Sequence, residues 1–125
     1  MDKSLRDRLV ETALEWQGKY GVAPSITSTI SEYDAALLVG VPDAEYVDQG
    51  KTRTAVSRGF DFIYEGKRYQ VKANRPSGKS GSRVTLVGKA RNYEWDYLIW
   101  ILYYKSFEIE EAWLWEVDQY REQFD

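Results

Sequence analysis

The sequence predicts an α/β (α+β) domain, a central mixed β-sheet flanked by helices. Apolar residues recur at helical spacing along the first forty positions. Aromatic and β-branched runs broken by turn residues follow from Phe60 onward. The most apolar run, Asp96 to Tyr104, is strand-length and has no polar face, as a buried central strand requires.

In chain order, Ser4 and Asp7 have the spacing of a capping box. Leu5, Leu9, Ala13, Trp16 and Tyr20 then form one face of a helix that ends at Gly18, Gly21 and Pro24. A second helix is expected over about 26–39, stopped by Gly40 two residues before Pro42. Residues 42–58 are polar and read as irregular. Phe60 to Asn74 reads as a β-hairpin around Glu65-Gly66, and Asn74 to Arg83 as a loop. Val84 to Val87 reads as a short strand, Asp96 to Tyr104 as the central strand and Phe107 to Val117 as its neighbour. Asp118 to Phe124 closes the chain as a short helix. The expected order is α-α-β-β-β-β-β-α.

The 125 residues fit one domain: a helical part over 1–41, a sheet core over 59–117 and a C-terminal helix over 118–125. With 43% hydrophobic and 30% charged residues, and neither a long apolar span nor a signal-peptide core, a cytoplasmic protein is expected. The chain has no cysteine and no histidine. That removes disulfides, thiol nucleophiles, Cys/His zinc sites and imidazole bases. Carboxylates, Lys, Tyr, Ser and hard cations such as Mg²⁺ remain.

The net charge of −3 conceals strong segregation. Residues 1–65 carry 11 acids and 7 bases, and residues 92–125 carry 9 acids and 2 bases. Between them Lys67, Arg68, Lys72, Arg75, Lys79, Arg83, Lys89 and Arg91 stand without one acid. A concentrated basic segment in an acidic chain suits a polyanion such as a nucleic acid; a solvated Lys/Arg-rich loop is the plainer alternative.

A two-residue turn at Glu65-Gly66 makes opposed hairpin residues sum to 131, so Asp61 is expected to face Gln70. Alternation then puts Asp61, Arg68, Gln70 and Lys72 on one side, and Phe60, Phe62, Tyr64, Tyr69 and Val71 on the other. An acid, an amide oxygen and an ammonium gather opposite a greasy face. A cross-strand Asp61–Lys72 ion pair is the plain structural alternative.

Asp61, then Gln70-Val71-Lys72 after a short hairpin, resembles the PD-(D/E)XK (restriction-endonuclease-like) nucleases. In that family two carboxylates hold Mg²⁺ (or Mn²⁺) and the lysine orients or activates the attacking water. Gln70 departs from the usual Glu or Asp: its carbonyl can ligate a hard cation but brings no charge. The family often adds a helical glutamate, for which Glu32 is the best match and Asp34 the alternative. The resemblance implies a restriction-endonuclease-like fold and metal-dependent endonuclease chemistry on nucleic acid, with DNA expected before RNA. It assigns Asp61, Gln70 and Glu32 as metal ligands and Lys72 as the catalytic lysine. Asn74, Arg75, Lys79, Arg83 and Lys89 fall to nucleic-acid binding, and a homodimer to cutting both strands. The alternative is a nuclease-like module without catalysis that binds nucleic acid or a protein. Among the aromatics, Trp113 and Trp115 share a strand face, open to base stacking or, more simply, to core filling under the last helix.

Overall fold

The computed structural model describes residues 4–52, 60–76 and 94–124. Four helices and one four-stranded mixed sheet make up the described part, an α+β arrangement. Helix α1, Ser4–Tyr20, turns its Val10 and Ala13 inward and ends where Gly21 takes φ +84°. Helix α2, Thr27–Val39, is the most buried, with Ile30, Ser31, Asp34, Ala35 and Ala36 all inside. Its end is a Schellman motif: Gly40 at φ 97° donates to the Leu37 carbonyl, and Val41 donates to Ala36 at 3.0 Å.

Helix α3, Asp43–Thr52, corrects the expectation of irregular chain for the first part of 42–58; the remainder of that segment lies outside the described residues. It has few apolar positions, so periodicity gives no signal. Asp43 and Glu45 lie in its first turn and Lys51 in its last, an order that complements the helix dipole. Tertiary contacts complete it. Tyr46 meets Tyr33 edge-on at 6.0 Å, and the Gln49 amide both donates to Ile63 O (2.6 Å) and accepts from Ile63 N (2.8 Å). Gln49 thereby supplies the pairing that a neighbouring strand would give this edge.

The hairpin forms with the expected turn and with the expected register from Phe62 to Tyr69. Strands β1 (Phe62–Tyr64) and β2 (Lys67–Asn74) pair as 62↔69, 63↔68 and 64↔67. Glu65 and Gly66 take φ 51° and 77°, the two positive values of a type I′ turn. Strand β3, Tyr97–Tyr103, runs parallel to β2, and β4, Ile109–Glu116, antiparallel to β3. The order is β1-β2-β3-β4. Helix α4 is Val117–Phe124. The strand expected over Val84 to Val87 lies outside the described residues.

One sheet face carries Phe62, Tyr69, Val71, Ile99, Ile101 and Tyr103, clustered with Val10, Ile30, Ala35 and Ala36 of α1 and α2. Across it Phe62, Tyr69 and Tyr97 stack in register, at 5.0 and 5.3 Å between rings. Such pairs add about 0.5–1.5 kcal/mol each beyond burial. The opposite face holds a smaller cluster in which Trp95, Leu98 and Tyr120 pack with Phe60, Trp115 and Val117. Core filling beneath α4 is thus the role of Trp115, which meets Tyr120 edge-on at 6.3 Å. Among the described residues no helix is long and apolar enough to cross a membrane.

Asp96 locks the start of β3 to β2. Its N–H donates to Arg68 O at 2.8 Å, and its carboxylate accepts the Arg68 N–H at 2.8 Å and Nε at 3.3 Å. The Arg68 backbone N–H, then its guanidinium, hold the Asp96 carboxyl below the usual range. A depressed carboxylate stabilises the fold above its unfolded pKa of about 3.9 and loses that contribution as pH falls through its lower folded value. Asp96→Asn is therefore expected to destabilise at neutral pH and to converge with wild type as pH falls through the lowered folded value. Urea titrations at several pH values check this; a pH-independent difference would contradict it.

Candidate functional site

The site is built on β2. Its Tyr69 and Val71 point into the helix-covered core, so alternation sends Arg68, Gln70, Lys72 and Asn74 to the other face. Gln70 and Lys72 are half-buried. Among the described residues neither side chain takes part in a hydrogen bond or ion pair. The Asp61–Lys72 ion pair that the sequence left open does not form.

Asp61 reaches the site by a route alternation does not predict. The expected strand began at Phe60; β1 begins at Phe62. At Asp61 the chain leaves the ladder: its N–H donates to Tyr69 O at 2.7 Å rather than pairing with Gln70. Phe60 consequently joins the cluster opposite Phe62, not the same face as expected. The Asp61 carboxylate then accepts the Val71 N–H at 2.7 Å, in the place a main-chain carbonyl would hold. That N–H belongs to the peptide joining Gln70 to Val71. The acid therefore sits at the edge of β2, beside the residue bearing the amide and one short of Lys72.

Glu32 lies half-buried on α2, which packs on the Tyr69/Val71 face of β2, opposite the face of Gln70 and Lys72, so the structure does not bring it together with them. Asp34, the alternative helical acid, is committed elsewhere. It is 3% exposed and accepts Arg6 Nε at 3.0 Å, Arg6 Nη2 at 2.8 Å and the Tyr103 hydroxyl at 2.6 Å. Burial alone would lower the Arg6 pKa; the hydrogen bonds to Asp34, its negative charge and the bond to Asp7 together more than offset this and raise it. Burial, then the bond to Asp34, pushes the Tyr103 phenol up. Arg6 Nη2 also donates to Phe107 O at 2.7 Å, tying α1, α2 and the β3–β4 turn together.

Of the residues expected to hold nucleic acid, Asn74 is buried at the end of β2. The Arg75 guanidinium is engaged within the protein. It donates to Lys105 O at 2.8 Å and to Gln17 Oε1 at 3.1 Å, and lies 4.2 Å over the Phe107 ring. Lys79, Arg83 and Lys89 lie outside the described residues. Sequence reasoning did not single out Gln49 or the Arg6–Asp34–Tyr103 set. Arg6 and Asp34 each sit on a helix face, but nothing in a one-dimensional pattern links positions so far apart.

As donors, Asp61 and Gln70 are hard oxygens, which suit a cation of the Mg²⁺ class. Their combined formal charge is one. Among the described residues no group of three or more His, Cys, Asp or Glu stands together to hold a metal. No family model matches the chain and no curated protein is significantly similar to it, so the chemistry of these side chains carries the functional reading.

Proposed function

We propose that this chain is a metal-dependent nuclease of restriction-endonuclease-like architecture, hydrolysing phosphodiester bonds of nucleic acid, DNA before RNA. One observation carries the reading. Asp61 is fixed at the Gln70–Val71 peptide while the Gln70 amide and the Lys72 ammonium have no structural use among the described residues. Polar groups held together on a rigid strand and unspent on the fold are what a binding site needs. The order of helix α2, hairpin β1–β2 and parallel strand β3 agrees with that architecture.

Asp61 and Gln70 would hold the cation, with water filling the remaining positions, since Glu32 belongs to the helix that covers the opposite face of the sheet. Bound there, Mg²⁺ would polarise the phosphoryl oxygen as a Lewis acid. Lys72 donates hydrogen bonds to the attacking water and to the phosphate oxygens, where negative charge grows. Water oxygen bonds to phosphorus, the bond to the leaving oxygen breaks, and that oxygen takes up a proton. The basic segment 66–91, including Lys79, Arg83 and Lys89, would supply phosphate contacts that fix register without reading sequence. Arg75 would contribute only by giving up its bonds to Lys105 and Gln17. In this reading a homodimer supplies the second site for cutting both strands.

Calorimetry tests the reading. Mg²⁺ or Mn²⁺ is expected to bind wild type and to show no binding heat with Asp61→Ala. Gln70→Glu adds a charge at the second donor and is expected to tighten binding about tenfold. A wild type that takes up neither ion would sink the enzyme and favour a non-catalytic binding module, with Gln70 marking the lost charge.

A further inference from the structure

Beyond Gln70 and Lys72 the same sheet face continues into aromatic side chains. Lys72 is in register with Trp100, and Trp100 with Trp113. Neighbouring strands lie about 4.7–4.9 Å apart, so Trp113 stands about 10 Å across the sheet from Lys72. Trp113 is 54% exposed on edge strand β4, and its indole N–H donates to Glu111 Oε2 at 3.2 Å. That bond fixes the orientation of a large aromatic plane that the core does not use. A groove of about 260 Å³ is lined by Trp100, Leu102, Glu111, Trp113 and Trp115.

We propose that this groove is a stacking site for one unpaired nucleobase, with Trp113 as the platform, next to the phosphate held at Lys72. The proposal rests on the nuclease reading and makes its substrate a nucleic acid with a single-stranded stretch at the cleavage point. Charge decides between this and a duplex lying across the sheet. Glu111, on this face of β4, would meet the phosphates of a duplex, which carries one negative charge per about 1.7 Å of its axis. A base brings no charge. It offers a π-face to the indole and exocyclic N–H groups to the remaining lone pairs of Glu111.

The test is fluorescence anisotropy in EDTA, with a short labelled single-stranded oligodeoxynucleotide and the blunt duplex of the same sequence. EDTA removes the cation, so binding is read apart from catalysis. Trp113→Ala is expected to weaken single-strand binding about five- to hundredfold, with Trp113→Phe recovering most of it. Duplex binding should change less than about twofold. Thermal melting verifies that each variant folds, as the exposure of Trp113 leads one to expect. Three outcomes overturn the proposal: no single-strand binding by wild type, equal losses for both ligands, or no loss in Trp113→Ala. A fourth is that Trp113→Ala converts a dimer to a monomer while leaving single-strand binding intact, which would make the groove a contact between copies. A Trp113-dependent preference for single strands without metal-dependent cleavage would keep the platform and dismiss the nuclease.

Discussion

Replacing Lys72 with methionine is expected to lower phosphodiester cleavage about a hundred- to a thousandfold at saturating Mg²⁺, the range seen when one charge-stabilising donor is lost from a water-poor site. Methionine keeps most of the aliphatic stem in its half-buried position beside the Trp100 register. The ammonium serves no hydrogen bond or ion pair among the described residues, so the free energy of unfolding in urea should change by less than about 0.5 kcal/mol. Single-turnover cleavage paired with urea titration checks both halves. Retained cleavage would remove Lys72 from the chemistry. Lost cleavage together with a large loss of stability would mark it as structural.

The second large effect is on stability. Asp34→Ala is expected to destabilise the fold by about 3–5 kcal/mol, the usual result of removing one partner from a buried ion pair. The Asp34 side chain is 4% exposed and that of Arg6 13%, so solvent does little to replace the missing carboxylate. The deletion strands the Arg6 guanidinium and leaves the Tyr103 hydroxyl unmet in the core. Tyr103→Phe removes only one neutral donor and should cost about 0.5–1.5 kcal/mol. Chemical denaturation of the two variants measures the contrast. Equal, small losses would mean that Arg6 finds new partners, for instance more of its existing bond to Asp7.

The hairpin was legible because its determinants are local. Gly66 permits the left-handed turn, the turn sets the 131 register, and alternation assigns Tyr69, Val71, Gln70 and Lys72 to their faces. The end of α2 was legible for the same reason, since Gly40 supplies the φ of 97° that its cap requires. The central strand followed from its unbroken apolar run, though pairing parallel to β2 is not written in that run.

Asp61 shows where one-dimensional reading stopped. Alternation predicted that it would face Gln70, but the chain leaves the ladder there to place Phe60 against Trp95 and Leu98 on the far side of the sheet. The carboxylate is then aimed by one hydrogen bond to the Val71 N–H, not by strand periodicity. Helix α3 was missed because its stability comes from Tyr46 against Tyr33 and Gln49 on Ile63, contacts made with other elements. Asp34 stood beside Glu32 as a candidate acid until Arg6 and Tyr103 arrived from elsewhere in the chain to claim it.

The sequence by itself therefore determined the helical and strand segments flanked by strong stop and turn signals, the hairpin register, and the residue types available for chemistry. Tertiary structure decided which acid is spent on the core, which is held at the edge of β2, and which aromatics stay exposed. Local backbone preferences act over a few residues and leave a periodic trace. Burial, buried ion pairing and the meeting of strand edges join residues far apart in the chain, and they exist only once the sheet has been assembled.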